Sequence, residues 1–445
     1  MPVHGLKTLI IPAVFVICVA SAISNAGAES REGPPLTLDE AIRMALKQHP
    51  RLAQSRQRTL AAQAQTGQAS SALLPQIHSV MNGTSGSARS NTSLASGAII
   101  ENPNSNQATA GLLLDQLIYD FGRTFYQIKS KAFLAESREY ELQADRALTI
   151  LTVERAYYNA LKQFQLVKIG EQAEQERKII RDLIEALYQR EKRSKIDVSL
   201  AEVEFKNAQL DRLQAGNDYK VSLYALRKAV GLDGAGEYSL EDPIRPEPEL
   251  PSLDQLTAEA FERRPELQAV RRQVKGSEAA VISAKRQYFP SVNAMLSSGE
   301  SAISDSNGKW WYGAFGSISV PLFTGGRIEN QIREAEAKHR EQEGRFREMA
   351  QEVELQVAGA FYPYQVLREK IAVAKEQVAT ARLALDLARE RLRLGLGSVV
   401  EVTQSEVANT RAEIGLVTAR FDAQATRAAV EYAAGRNLAG YRDEE

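Results

Sequence analysis

Cysteine is almost absent from this chain: Cys18 is the only one in 445 residues. It falls inside a stretch that reads as a leader, so the mature protein is expected to have no disulfide, no thiol chemistry and no zinc–thiolate cluster. Histidine is nearly as scarce, with His4, His49, His78 and His339 scattered along the chain. No His-Glu-x-x-His, no phosphate-binding glycine loop and no serine elbow occurs, so the sequence offers no catalytic residue, no metal site and no cofactor. An excess of charge is also missing. Losing Lys7 from 55 basic residues leaves a near balance with 56 acidic ones, which excludes the strongly basic surface of a nucleic-acid binder. No apolar run of membrane-helix length follows residue 28, so any membrane crossing has to be made by strands. Proline, finally, is missing between Pro103 and Pro243 and again after Pro363, which leaves room for long unbroken helices.

Residues 1–28 have the layout of a secretory signal: Lys7, an apolar stretch from Leu9 to Ala22, and the small-residue site Ala26-Gly27-Ala28. As a membrane anchor the stretch is short and interrupted by Pro12. Ile17 is too large for the residue before a lipidated cysteine.

What is present is a duplication. Leu38-Asp39, Ala45, Pro50, Leu52, Arg56 and Pro75 return 215 positions later as Leu253-Asp254, Ala260, Pro265, Leu267, Arg271 and Pro290. Gly122-Arg123, Tyr158, Ser194, Glu202-Val203 and Gly231 return 204 positions later as Gly326-Arg327, Tyr362, Ser398, Glu406-Val407 and Gly435. The change of offset lies between Pro75 and Gly122 and belongs in a loop. The period is far too long for a solenoid, so two domain-sized units are expected: repeat 1 over 29–231, a proline-rich linker over 232–252, repeat 2 over 253–435 and a tail over 436–445.

Each unit is mostly helical. From Thr124 to about Tyr188 the residues are good helix formers, and Ile150, Val153, Tyr157, Leu161, Phe164 and Val167 form one apolar stripe. A helix of about 65 residues is roughly 100 Å long and must pack as a coiled coil. Asp197–Ala229 and Pro50–Leu74 are together nearly as long, so each long helix is expected to pack against two shorter ones stacked end to end. Repeat 2 offers Arg327–Leu394, Glu401–Ala434 and Pro265–Phe289. Pro363 sits mid-rod, where it is expected to kink or break the helix.

Two strand pairs lie between helices: 76–86 with 107–120, and 291–299 with 311–323, the second pair flanking Asp305-Ser306-Asn307-Gly308. The strands after the loops reach the ~9–11 residues of a tilted membrane strand. Trp310-Trp311-Tyr312 by the loop, and Tyr288-Phe289, Phe323, Tyr119 and Phe121 at the helix-proximal ends, would form two aromatic girdles. A soluble hairpin with aromatic core residues is the alternative. Four membrane strands cannot close a barrel, and open edges are forbidden in lipid. Several chains would therefore share one barrel, with the helical rods standing in an aqueous space. The fold class is thus mainly α with membrane β: an internally duplicated α-helical barrel of long coiled-coil helices, plus a shared transmembrane β-barrel with four strands per protomer.

Over nearly all of the mature chain this sequence resembles the TolC-like outer membrane efflux protein family. The resemblance is carried by Leu36-Thr-Leu-Asp-Glu-Ala-Ile, His49-Pro-Arg-Leu, Leu74-Pro75, Gln116-Leu-Ile-Tyr-Asp-Phe-Gly-Arg123, Pro321-Leu-Phe-Thr-Gly-Gly-Arg327 and Leu394-Gly-Leu-Gly-Ser-Val-Val-Glu-Val402. It implies a homotrimer with twelve strands in the outer membrane and a helical tube in the periplasm. It also implies docking to a periplasmic adaptor and an inner-membrane transporter, for efflux or type I secretion. By resemblance, adaptor hairpins dock at the tip 394–401, at Leu394, Gly395, Leu396 and Ser398, with Glu191 and Ser194 in the tip 189–197 as counterparts. The first tip departs from the pattern, with Glu191 and Arg193 in place of Gly395 and Gly397. Glu401 matches an acidic position that narrows the periplasmic mouth, and Gln404 and Asp197 complete the candidate constriction. The residues themselves also read Ser398-x-x-Glu401 and Ser194-x-x-Asp197 as capping boxes. Gly122-Arg123 and Gly326-Arg327 are expected at strand-to-helix turns. A periplasmic adaptor or coiled-coil scaffold without a membrane barrel is the rival reading.

Overall fold

Two long helices set the architecture. In the computed structural model α3 (Arg123–Gln189) and α7 (Arg327–Arg393) each have 67 residues, about 100 Å at 1.5 Å per residue. The structure describes residues 35–84, 107–232, 238–242, 249–303 and 306–441. The expected leader, the long polar loop of repeat 1 and Pro243, Pro246 and Pro248 of the linker lie outside those residues.

Each rod has the two expected partners. α2 (Pro50–Ser71) and α4 (Lys195–Val230) pack on α3, while α6 (Pro265–Lys285) and α8 (Val399–Ala433) pack on α7. The short helices meet end to end at a glycine. Gly231 (φ 77°) closes α4, and a Cβ there would stand 3.0 Å from His49 Cα at the start of α2. Gly435 (φ 72°) follows α8 and abuts Arg263 and Arg264 before α6 in the same way. Both positions take a left-handed backbone and leave a side chain no room unless the segment opposite shifts, which accounts for the recurrence of glycine 204 residues apart.

α1 (Leu38–Gln48) and α5 (Leu253–Arg263) are separate helices preceding those starting at Pro50 and Pro265. Complete capping boxes open them, Thr37 with Glu40 and Ser252 with Gln255. They pack on the middle of the rods with a two-strand parallel pair, β1 (Pro35–Leu36) and β4 (Ser239–Leu240). Tyr157 is fully buried there, its hydroxyl 2.8 Å from Leu36 O and 2.7 Å from Glu241 O. These elements form a belt on one side of the rods.

Of the kink or break expected at Pro363, the break does not occur: α7 runs unbroken through it. Residue i−4, whose carbonyl a proline ring crowds, is here Gly359, the residue type whose backbone yields most readily.

The strands form one antiparallel sheet in the order β2 (Gln76–Thr84), β3 (Gln107–Tyr119), β5 (Ser291–Ile303), β6 (Ser306–Ser319). The repeats are joined by β3–β5 pairing. The second hairpin is tighter than expected. Pairing runs up to Ile303 with Ser306, so β6 begins before Trp311. It ends at Ser319 instead of Phe323 because Pro321 has no N–H for the ladder.

The register sorts the sheet into two faces. One carries Ile77, Met81, Leu112, Leu114, Leu296, Trp310, Tyr312 and Ile318, as the pairs Ile77–Leu114, Leu114–Leu296, Leu296–Ala314 and Val292–Ile318 require. The other mixes His78, Asn82, Thr109, Asp115, Asn293, Ser297, Ser301, Lys309 and Ser317 with Val80, Leu113, Leu117, Met295 and Phe315, while among the described residues Glu300 is the one charged residue on the first face, opposite Trp310. Tyr312 is 91% and Met81 80% exposed, so the apolar face has no cover among the described residues. Trp311 parts from its neighbours: it sits on the polar face, its ring over the bare backbones of Gly111 and Gly299. At the helix-proximal end Phe121 lies 4.8 Å from Tyr119 and stacks on Phe289 at 5.6 Å.

Candidate functional site

At the far end of the rods the two helical hairpins turn, and their tips are built differently. In the first, Glu191 takes a left-handed backbone (φ 58°), where the second has Gly395 (φ 74°). A side chain costs about 1–2 kcal/mol there. It is held by Glu191 N–H donating to Tyr188 O (2.8 Å) and Lys192 N–H to Leu187 O (2.9 Å). Ser194 then caps α4: Asp197 N–H donates to its Oγ, and its own N–H donates back to Asp197 Oδ2 at 3.1 Å. That box is complete. In the second tip, Leu396 and Gly397 N–H both donate to Arg391 O.

The second box forms only in half. Glu401 N–H donates to Ser398 Oγ at 3.1 Å, but the Glu401 carboxylate does not return to the cap. It lies 3.5 Å from Arg391 Nε, about half exposed. It pairs instead with Arg391, a position at which the first repeat has Leu187. Gln404 is exposed one turn further along α8. Asp197, in contrast, uses its carboxylate in its own cap. The three candidate constriction residues are therefore chemically unlike, and Glu401 is the one with a carboxylate clear of the cap. Leu394 and Leu396 are exposed on the second tip, and Ile196 on the first.

The chain ties its tips together. Arg193, where the second tip has Gly397, donates from Nη2 to Gly397 O at 3.1 Å. Behind it Ile180, Ile184 and Ala201 pack with Leu385, Ala388, Leu392, Val399 and Val402. One turn deeper Arg389 Nη2 bridges Glu176 of α3 (2.7 Å) and Glu406 of α8 (3.0 Å). Burial raises the Glu406 carboxyl above the usual range, against the pull of Arg389. Sequence reasoning noted Glu406 only as a repeat marker. Its place in the packed stripe Val399, Val402, Glu406, Asn409 was the available signal, since a carboxylate on a core stripe needs a partner.

Packing orders the lower helices as α4, α3, α8, α7 and the upper ones as α2, α3, α6, α7. The outer helices keep exposed apolar stripes at heptad spacing: Ile196, Leu200, Val203, Leu210, Val221 and Tyr224 on α4, and Tyr362, Val366, Val373, Leu383 and Leu387 on α7. The sheet likewise ends in two edges, β2 and β6, unpaired among the described residues. Among the described residues no helix is long and apolar enough to cross a membrane, and no His/Cys/Asp/Glu group could hold a metal.

Comparison with known proteins gives one family. The model described as outer membrane efflux protein matches residues 41–232 and 256–436, one match per repeat. The outer membrane efflux protein BepC of Brucella suis is 23% identical over 347 residues, 74% of this chain and 73% of its own. Protein CyaE of Bordetella pertussis is 30% identical over 146 residues, 32% of this chain and 30% of its own. Among solved structures, the Campylobacter jejuni CmeC outer membrane channel superposes with a TM-score of 0.79 at 17% identity, covering 97% of both chains.

Proposed function

Since the chain belongs to the outer membrane efflux protein family, and is an outer-membrane efflux channel and not an enzyme, we propose that it works as a closed homotrimer carrying cargo from a periplasmic adaptor to the cell exterior. Family membership sets aside the reading as an adaptor or scaffold. The observation that carries the trimer is the chain's incompleteness at matched places. It leaves two sheet edges, two apolar helix stripes and an uncovered apolar sheet face, and none of these suits an isolated chain. Repeat 1 already packs on repeat 2 through β3–β5 and α3–α8. Repeating that contact between chains joins β6 to β2 and α7 to α4, and three chains supply twelve strands. The apolar face then meets lipid and the polar face lines the bore.

Within this reading the tip residues Leu394, Gly395, Leu396 and Ser398 dock the adaptor's helical hairpins, with Glu191 and Ser194 as the first-repeat counterpart. The exposed Leu394 and Leu396 supply the apolar contact. An inner-membrane transporter behind the adaptor selects the cargo. Glu401 and Gln404 line the periplasmic mouth, where three carboxylates raise the local cation concentration. Glu401→Ala tests this in planar bilayers. Ser398 Oγ retains the backbone cap, so the tip should keep its fold. The expected result is a larger unitary conductance with reduced cation preference; an unchanged channel would remove Glu401 from the pore.

A further inference from the structure

The middle of the chain holds a groove of about 720 Å³ between α3, α7 and α8, and it opens away from the belt. Arg155 on its wall is two residues from Tyr157, whose hydroxyl meets the belt strands. That places the two about 200° apart around α3. On α7, Gly359 stands in the same relation to Val357, which packs in the cluster that contains Leu256 of α5. In a tube with the belt outside, the groove faces the bore.

Its lining is divided between apolar surface and charge. Gly359, Pro363 and Ala425 give small, apolar walls. Gly359 and Pro363 stand where the first repeat has Arg155 and Asn159, so the duplication brings a cation on one helix opposite cleared space on the other. Lys162 is paired with Asp422 at 2.9 Å. Glu352, one turn above, is turned to Gln356 Nε2 at 2.8 Å. Among the described residues Arg155 makes no hydrogen bond or ion pair, and it is exposed. Two cations thus face one carboxylate, and the free guanidinium is a forked donor suited to carboxylate, sulfonate or phosphate.

We propose that this groove is a cargo subsite on the channel wall that takes amphipathic organic anions, the apolar body on the Gly359–Pro363 wall and the acid group on Arg155. The proposal rests on the channel reading and gives that channel a preferred class of cargo.

The test uses trimer reconstituted in lipid nanodiscs, with empty nanodiscs subtracted, and the fluorescence anisotropy of dansylglycine and of its uncharged counterpart dansylamide. Dansylglycine should saturate at three sites per trimer. Arg155→Gln should weaken it about tenfold, the scale of one charge-assisted hydrogen bond, and leave dansylamide unchanged. Gly359→Leu, whose side chain enters open space, should abolish binding of both. Dansylglycine binding that ignores Arg155→Gln, an equal loss for dansylamide, or full binding in Gly359→Leu would each overturn the subsite. Failure of the wild-type trimer to conduct in bilayers would instead remove the channel reading beneath it.

Discussion

Leu112→Arg is expected to keep the chain out of the outer membrane as a trimer, while Leu113→Arg one residue along is expected to assemble. Leu112 pairs with Ser79 and Ser298 on the face that carries Ile77, Met81, Tyr312 and Ile318, where an arginine near mid-bilayer costs about 2–4 kcal/mol. The cost falls three times in a trimer. Leu113 pairs with His78 and Ser297 on the polar face, where water in the bore solvates a guanidinium. The amount of trimer in outer-membrane fractions, resolved on unheated gels, separates the two. Equal assembly of both variants would contradict the assignment of faces.

The second large effect is expected at the buried bridge behind the tips. Arg389→Ala removes the cation shared by Glu176 and Glu406. Breaking a buried pair costs about 3–5 kcal/mol; the Arg389 side chain is 38% exposed, so the lower end applies. The pH dependence has a definite sign. The folded-state pKa of Glu406 is already raised by burial, and without Arg389 nothing nearby offsets that rise as strongly. A raised folded pKa favours the protonated native state, so its stabilising contribution is present at low pH and fades as pH climbs through the folded value. The deficit of Arg389→Ala should therefore be largest near pH 8 and shrink toward pH 5. Glu406→Gln in the same chain should recover much of it at pH 8. Hydrogen exchange of α7 and α8 near the tips reads this directly; a deficit independent of pH would show that the carboxylate is not its cause.

Much of this architecture is legible in the sequence because it rests on local signals. The rods come within one or two residues of their expected limits, since helix-forming composition acts along the chain in both, with the absence of proline added in α3. The strand-to-helix turns at Gly122 and Gly326 both take the expected left-handed backbone, with φ of 87° and 79°. α1 and α5 are not among the expected helices, although the boxes Thr37-x-x-Glu40 and Ser252-x-x-Gln255 that open them are local signals. Other features depend on pairing between distant segments. The start of β6 is set by what Ser306–Trp310 find opposite them in β5. Trp311 parts from Trp310 and Tyr312 because alternation turns it toward the bare glycines of β3 and β5. The Arg389 bridge joins three helices more than 200 residues apart at its extremes, and no local pattern announces that partnership. At the tips, the box motif correctly places both caps but not the fate of Glu401, which depends on Arg391 across the turn.

The duplication also fixes a register between chains. Within the chain Leu114 of β3 lies opposite Leu296 of β5. Moved by the two repeat offsets, that pair becomes Ile318 of one protomer opposite Met81 of the next, both exposed on the apolar face. Directly opposed residues have Cβ atoms about 4.5–5.5 Å apart, close enough for a disulfide after small adjustment. Cys18 is the only native cysteine, so Met81→Cys and Ile318→Cys placed in a Cys18→Ser background are the only two thiols of the chain. Mild oxidation of cells expressing it should yield a covalent trimer and nothing larger, with neither single variant cross-linking beyond background. Chains that stay monomeric, or a ladder of species beyond three, would contradict a closed ring built from matched halves.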